Sequence, residues 1–228
     1  MFVKLLALDA ATEACSVALL ANGEVLTREA LEARAQSELL LPMIDSVLRE
    51  AALRLEELDA LVVGRGPGSF TGVRLAVGVA QGLAYGAHLR VIPVSDLAML
   101  AQGAVAATGC HHALACMDAR MNEVYWCSFM RGADGLVTPL HEERLGPPGS
   151  VALSGSGPWF GVGTGWTRHE QLRTMLATSV VALAPDQLPH ARDALTLAAP
   201  LWRAGATLAP EQLLPVYLRD EVATRPRR

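Results

Sequence analysis

Two aspartates follow apolar runs that are typical of buried strands, and each begins a short turn. The first turn is Asp9-Ala10-Ala11-Thr12 and the second is Asp118-Ala119-Arg120-Met121. A turn of small residues can hold a phosphate, because its backbone N–H groups can face the phosphate oxygens. The first turn lacks a glycine but offers the Thr12 hydroxyl. In the second turn, the long side chains of Arg120 and Met121 would occupy the phosphate space, although Arg120 could instead pair with an anion.

We favour a second interpretation, in which the two aspartates only stabilise their own turns. Buried Asp side chains at the ends of strands are commonly hydrogen-bonded to nearby backbone groups. Asp9, Thr12 and Asp118 are therefore candidates for a weak or vestigial ATP or ADP site, and we predict no resident cofactor.

The residue types that bind metals or act as nucleophiles are not arranged as such sites require. The four cysteines form no CxxC pair. His111 and His112 are adjacent, whereas two ligands on one helix face need a spacing of three or four. Ser69 and Ser154 lie outside GxSxG motifs. The sequence therefore predicts no metal site and no catalytic residue.

The composition excludes several classes of protein. A chain of 228 residues that is 51% hydrophobic can bury a substantial core. Its 19 basic and 23 acidic residues give a net charge of −4, whereas dedicated nucleic-acid binders are usually strongly basic. The sequence has no apolar run of about 18 residues, as a membrane span would need, and its N-terminus does not fit a signal peptide. We therefore expect a cytoplasmic protein that does not cross a membrane, with reduced thiols.

The pattern of apolar residues predicts an α/β fold. Asn22-Gly23 is a strong hairpin signal, and apolar residues recur at helical spacing after Ser37. The predicted elements are strands at 3–8, 16–21 and 24–31, a helix at 37–52, a strand at 60–63, a helix at 69–86, a strand at 90–93, a helix at 95–107 and a last helix at 193–204. The opening order βββαβαβα gives a mixed sheet covered by helices.

The second half of the sequence resembles a degenerate copy of the first. The segment ALACMDARMNEVYWCSF can be laid over LLALDAATEACSVALL with Asp118 on Asp9. We infer two related units, 1–108 and 109–228, with coincidence as the alternative, since short strand patterns recur freely. Residues 144–168 are rich in Gly, Pro and Ser, so we expect this segment to consist mostly of loops.

The helix predicted at 69–86 has small residues in two rows. The first row is Gly72, Ala76, Ala80 and Ala84, and the second is Gly78, Gly82 and Gly86. Residues four apart share one side of a helix, and the two rows lie roughly 120° apart at about 100° per residue. Each interior Gly costs about 1 kcal/mol of helix propensity relative to Ala. We therefore expect close backbone approach on two sides, by the core of the chain itself and by a partner.

Several motifs resemble those of the bacterial TsaB proteins, a family also called YeaZ. They are GPGSFTGVR followed by AQGLA, LALDAATEACSVALL, SELLLP, MDARMNEVYW, GVGTGW and PVYLRDEVA, and they span nearly the whole chain. The resemblance implies an actin-like fold of the sugar kinase, Hsp70 and actin superfamily. It also implies a non-catalytic partner of TsaD, which makes threonylcarbamoyladenosine beside the anticodon of tRNA.

The resemblance implies partners and places for a nucleotide. The partners would be a TsaD-like transferase and a TsaE-like ATPase, and tRNA would be reached only through the complex. Phosphates would lie between the two Asp turns, and Gly163 and Gly165 would lie in a loop near an adenosine. Where TsaD-like proteins carry a metal-binding HxxxH, this chain has Ala35-Gln36-Ser37-Glu38-Leu39, so no metal is predicted there.

We expect the TsaD-like partner to pack on the helices at 37–52 and 69–86. The predicted interface residues are Leu40, Ile44, Val47, Leu75, Gly78, Val79, Gly82 and Leu83. Two alternatives remain. The chain could form a homodimer, and its function could be that of an active actin-like ATPase or small-molecule kinase. We prefer a scaffold or activating subunit for threonylcarbamoyl transfer, because both phosphate turns are altered.

Overall fold

A computed structural model describes residues 3–32 and 35–219 of the chain, which form two mixed β-sheets and α-helices that cover and separate them. The first half contains β1 (Leu5–Asp9), β2 (Cys15–Ala21), β3 (Glu24–Ala30), α1 (Gln36–Glu50), β4 (Ala60–Gly64), α2 (Phe70–Gly86), β5 (Arg90–Val94) and α3 (Asp96–Thr108). This is the predicted order βββαβαβα. Ser69 and Ser95 begin α2 and α3 as N-caps, because their hydroxyl groups accept hydrogen bonds from the first turn of each helix.

The second half contains a similar series of strands with shorter helices. Its elements are β6 (His112–Asp118), β7 (Val124–Arg131), β8 (Val137–Pro139), β9 (Arg144–Gly146), β10 (Trp159–Val162), α4 (Gly165–Arg168), α5 (Glu170–Leu176), β11 (Val180–Ala184) and α6 (Ala191–Arg203). Most of 144–168 is loop, as predicted, although β9, β10 and α4 lie within it.

The two sheets have the same topology. The first has the strand order β3-β2-β1-β4-β5, and the second has the order β8-β7-β6-β10-β11, with β9 also paired to β7. In each sheet the central strand runs antiparallel to the next strand in sequence and parallel to a later one. The repeated order confirms the predicted actin-like α/β fold with two related units.

The elements stack in five layers, which alternate between helices and sheets. Alternate residues of a strand point to opposite faces of its sheet. Leu6 and Leu8 of β1 pack with α1 and α2, whereas Leu5 and Ala7 pack with α6. On the second sheet, one face packs with α3 and the other with α4 and α5. α3 and α6 therefore fill the space between the two sheets.

The last helix belongs with the first sheet. We placed it in the unit 109–228, but Ala191, Ala194 and Ala198 of α6 are buried in the same cluster as residues of β1, β2 and β4. The Ser16 hydroxyl accepts a hydrogen bond from the Ala191 N–H at 2.9 Å, which fixes the start of α6 beside β2. The predicted division of the chain is therefore corrected at its C-terminal end.

Candidate functional site

The two predicted Asp turns line one cavity of about 760 Å³. Ala11, Thr12 and Glu13 line it from the turn after β1, and Asp118 lines it with its neighbours in the turn after β6. The N-terminal part of α2 and residues 216–219 complete the lining. The fold therefore brings the two turns together, as the resemblance implies.

Asp9 does not line this cavity. Its side chain is fully buried, and its Oδ1 accepts a hydrogen bond from the Ala11 N–H at 3.1 Å. Its carboxyl group meets that of Asp96, whose Oδ2 accepts from the Gly66 N–H at 2.5 Å. Burial raises the pKa of both carboxyl groups, and the charge of Asp9 raises the pKa of Asp96 further. Asp9 is thus one half of a buried carboxyl pair, which corrects its prediction as a nucleotide-binding residue.

α2 packs directly on the first turn. A side chain at Gly68 or Gly72 would overlap the backbone carbonyl groups of Ala11 and Ala10. The Ser69 N–H donates to the Ala11 carbonyl at 2.6 Å. The start of α2 therefore covers part of the turn that a phosphate would have to approach.

Gln36, at the start of α1, holds the other side of this turn. Its Nε2 donates to the Thr12 carbonyl at 2.6 Å and to the Ala14 carbonyl at 3.2 Å. The Thr12 hydroxyl lines the cavity, but it accepts a hydrogen bond from the Ala14 N–H at 3.3 Å. The segment where TsaD-like proteins would carry their HxxxH thus supplies an amide that fixes the turn.

The second turn has an unusual backbone and a paired carboxylate. Arg120, Met121 and Asn122 have φ angles of 61°, 54° and 58°, in the left-handed region that non-Gly residues rarely adopt. Asp118 accepts a hydrogen bond from the Arg120 N–H at 3.3 Å and lies 3.1 Å from His169 Nε2. It also forms an ion pair with the Arg120 guanidinium at 3.4 Å. These contacts fit a carboxylate that stabilises its own turn.

Gly163 and Gly165 serve close packing and do not line the cavity. A side chain at Gly163 would overlap the Cys116 carbonyl and the Leu100 side chain, and one at Gly165 would overlap the Cys116 thiol. Both glycines therefore let the β10–α4 connection approach β6, which corrects their prediction as an adenosine loop. Thr164 between them lines the cavity, and its hydroxyl accepts a hydrogen bond from the Asp118 N–H at 3.1 Å.

Two distant sequence motifs meet at the cavity, which sequence reasoning did not predict. Phe70 and Arg74 come from GPGSFTGVR, whereas Tyr217 and Arg219 come from PVYLRDEVA. The Arg74 guanidinium carbon lies 3.3 Å from the centroid of the Phe70 ring and 4.9 Å from that of Tyr217. The two rings are 5.7 Å apart. A cation held between two rings gains from the negative faces of both.

Residues 213–219 run from α2 to the second turn. Gln81 Nε2 of α2 donates to the Leu213 carbonyl at 2.9 Å, and Arg219 NH2 donates to the Ala119 carbonyl at 3.0 Å. Arg219 also forms an ion pair with Glu123 at 2.6 Å. This segment therefore links the two halves across one side of the cavity.

The outer face of α2 is open. The first small row, Gly72, Ala76, Ala80 and Ala84, is buried within the chain. At Gly78, Gly82 and Gly86, the position that a Cβ atom would take has no described atom within 4 Å, apart from the chain neighbours and the backbone of α2 itself. Leu75, Val79 and Leu83 are half-buried beside this second row. The two rows thus have different environments, and the glycine row is accessible to a partner.

The apolar stripe of α1 is not part of that open surface. Leu40, Ile44 and Val47 are buried in the core that α1 and α2 form with the first sheet. Their side chains are used by the fold itself, so their prediction as interface residues is corrected. The outward side of α1 instead presents Leu41, which is 49% exposed, and Asp45.

Two of the buried cysteines are poor nucleophiles, and the described residues contain no cluster of metal ligands. Burial raises the pKa of the Cys15 thiol to about 11 and that of Cys127 to about 12, so both stay protonated near neutral pH. Within 3–32 and 35–219, no three His, Cys, Asp or Glu side chains are grouped as a metal site would require. None of the helices in these ranges has the length and hydropathy of a membrane span.

Comparison with known proteins gives a consistent set of relatives. A family model for TsaD, described as tRNA N6-adenosine threonylcarbamoyltransferase, matches residues 28–151. The tRNA threonylcarbamoyladenosine biosynthesis protein TsaB of Escherichia coli is 42% identical over 226 residues, which are 97% of this chain and 96% of that protein. The TsaB protein of Haemophilus influenzae is 41% identical, over 96% of this chain and 94% of that protein.

A solved structure has the same fold over almost the whole chain. The structure of YeaZ from Pseudomonas aeruginosa superposes with a TM-score of 0.88 at 44% sequence identity. The match covers 95% of this chain and all of that one.

Proposed function

Because the chain belongs to the TsaB (YeaZ) family, we propose that it acts in the biosynthesis of threonylcarbamoyladenosine in tRNA. Its role is that of a non-catalytic subunit that supports and activates a TsaD-type transferase. That enzyme transfers a threonylcarbamoyl group to N6 of the adenosine 3′ of the anticodon, in tRNAs that read codons beginning with A. This chain supplies a surface to the transferase and no reacting group.

The open glycine row of α2 is the observation that carries the proposal. Gly78 and Gly82 cost helix propensity. Neither is needed for packing within the described residues, since a Cβ atom at either would meet nothing within 4 Å beyond its chain neighbours and the backbone of α2. A partner helix that packs closely on this row would explain both glycines. Leu75, Val79 and Leu83 would then contribute apolar contacts beside the row.

The contacts of the cavity support the non-catalytic part of the proposal. The first turn is covered by α2 and held by Gln36, and the Asp118 carboxylate is paired with Arg120. No observation favours the alternative of an active ATPase or small-molecule kinase. We expect this chain to bind nucleotides only weakly.

The proposal extends to the setting of the complex. A TsaE-like ATPase acts with the transferase in the cytoplasm, and tRNA is bound by the complex and not by this chain alone. A homodimer that used the same face of α2 would compete with the transferase for it.

Association with a purified TsaD-type transferase tests the proposal. Gly82→Leu should weaken association at least tenfold, because the new side chain stands where the partner helix must approach. The variant should stay folded, since Leu is the better helix former by about 0.8 kcal/mol. Affinity by calorimetry and helicity by circular dichroism report the two effects separately.

Thr196→Leu is a matched control. Thr196 is exposed on α6, which packs on the opposite face of the first sheet from α2. This variant should bind the transferase like the unaltered chain. If Gly82→Leu binds equally well, or if it unfolds the chain, the face of α2 is not the interface.

A further inference from the structure

Three arginines line the cavity, and Arg74 is the one that forms no ion pair with a described carboxylate. Arg120 pairs with Asp118, and Arg219 pairs with Glu123. For Arg74, no carboxylate of residues 3–32 and 35–219 lies within 4.0 Å of its guanidinium nitrogens. Its side chain is exposed at the edge of the cavity.

The guanidinium of Arg74 is nevertheless held in place. It lies 3.3 Å from the Phe70 centroid and 4.9 Å from the Tyr217 centroid. Rings that contact the guanidinium restrict its motion, while its N–H groups stay available as donors. Such a fixed planar fork suits a carboxylate, which it can bind through two parallel hydrogen bonds.

Arg74 also continues the open row of α2. Arg74, Gly78 and Gly82 follow one another at intervals of four residues, so Arg74 lies about 40° from Gly78 and about 80° from Gly82 around the helix axis. A partner helix lying along the glycines would reach Arg74 at the N-terminal end of the row. Gly82 and Arg74 are eight residues apart, which is about 12 Å along the helix axis at about 1.5 Å per residue.

We propose that Arg74, held by Phe70 and Tyr217, binds an Asp or Glu side chain on the helix of the TsaD-type partner that packs against Gly78 and Gly82. The inference rests on the proposed function and adds the chemistry of the contact to it. The charge of Arg74 and the continuity of its row with the glycines select an acidic residue. That residue lies about two helical turns from the partner position that contacts Gly82.

Affinity for the purified transferase over a range of salt concentrations tests this contact. Arg74→Gln should weaken binding about tenfold or more, because it leaves the partner carboxylate without its counter-ion in the interface. It should also reduce the dependence of affinity on salt, whereas Arg74→Lys should keep that dependence. Arg173→Gln, at an exposed position on α5, is the matched control and should change neither quantity.

The outcomes separate this contact from the proposed function. If Gly82→Leu prevents association but Arg74→Gln binds within twofold of the unaltered chain, the interface stands and the Arg74 contact is wrong. If the unaltered chain does not bind the transferase, the proposed function itself fails. A charge reversal would establish the pair. Arg74→Glu would be combined with an Asp→Arg or Glu→Arg change two turns along the partner helix, and affinity would be restored.

Two other partners for Arg74 would overturn the inference. If Arg74→Gln leaves affinity for the transferase unchanged but weakens binding of tRNA to the complex, the guanidinium contacts a phosphate. The free energy of unfolding of the free chain tests a second possibility, that its own acids at 220 and 221 neutralise Arg74. In that case the effects of Arg74→Gln and of the double variant Asp220→Asn, Glu221→Gln would not add when the changes are combined.

Discussion

The carboxyl groups of Asp9 and Asp96 meet in the interior of the first half, where both side chains are fully buried. Gly64 of β4 lies beside them, and a Cβ atom there would contact both carboxyl groups. Asp9 accepts a hydrogen bond from the Ala11 N–H at 3.1 Å, and Asp96 accepts one from the Gly66 N–H at 2.5 Å. Burial and the neighbouring Asp9 charge raise the pKa of Asp96 well above its ordinary value, so we expect Asp96 to be the member of the pair that holds the proton.

Asp96→Asn should preserve this pair and change its response to pH. The raised pKa of Asp96 means that the folded chain keeps a proton that the unfolded chain releases above its ordinary pKa of 3.8. The free energy of unfolding therefore falls as pH rises from about 4 towards the raised pKa, by up to about 1.4 kcal/mol per pH unit. An Asn amide can donate to Asp9 at every pH, so the variant should lose less stability over this range.

Urea unfolding between pH 4 and pH 8 measures this difference. Asp193, whose pKa burial raises to about 6, contributes a change of the same sign in both proteins and cancels in the comparison. Glu56→Gln, at an exposed position, serves as the control for loss of a carboxylate. Equal pH dependence in Asp96→Asn and the unaltered chain would mean that Asp96 is ionised in the folded state.

Leu40→Ala should destabilise the chain, because Leu40 belongs to the core and not to a partner surface. Removal of a fully buried Leu side chain costs about 2–5 kcal/mol. Leu41→Ala, at the neighbouring position on the exposed side of α1, should cost less than about 1 kcal/mol. Denaturant unfolding of the free chain measures both free-energy changes. If Leu40→Ala is as stable as the unaltered chain and fails only to bind the transferase, Leu40 belongs to the interface as the sequence predicts.

The error at α1 shows what periodicity alone cannot distinguish. A stripe such as Leu40, Ile44 and Val47 predicts burial, but the same stripe would fit the chain's own sheet or a partner. The two small-residue rows on α2 distinguish the core from a partner surface better than the stripe on α1 does. The rows lie on different sides of the helix, and the second consists only of Gly, which costs more helix propensity than Ala. The structure indeed buries Ala76 and Ala80 and leaves Gly78 open.

The first half was predictable because its signals are local. Strands, the Asn22-Gly23 hairpin and the Ser69 and Ser95 caps each lie within a few residues of the elements that they define. The stacking of Arg74 on Tyr217 joins residues 143 positions apart and leaves no local pattern. Gly163 was misassigned because a glycine needed for close packing looks the same in sequence as one in a binding loop.

ATP should bind weakly to the isolated chain and should not be hydrolysed. The first turn is covered by α2, and Arg120 and Met121 occupy the second. Calorimetry should therefore detect no affinity in the micromolar range, and phosphate release should equal that of a blank. Steady turnover that disappears in Asp118→Asn would contradict the prediction, whereas turnover that this variant leaves unchanged would indicate a contaminant.

Transfer RNA should bind poorly to the isolated chain at physiological salt. Phosphate neutralisation by Lys and Arg supplies most non-specific affinity for nucleic acids, but acidic residues exceed basic ones here by 23 to 19. Arg120 and Arg219 at the cavity are already paired with acids, so Arg74 is the one arginine of the cavity that no described carboxylate neutralises. We expect a Kd weaker than about 10⁻⁵ M at about 0.15 M salt, and tighter binding by the assembled complex. Filter binding across a salt series measures the Kd for tRNA of the isolated chain and of the complex. Tight, salt-sensitive binding by the isolated chain would mean that it presents the tRNA to its partner as well as supporting it.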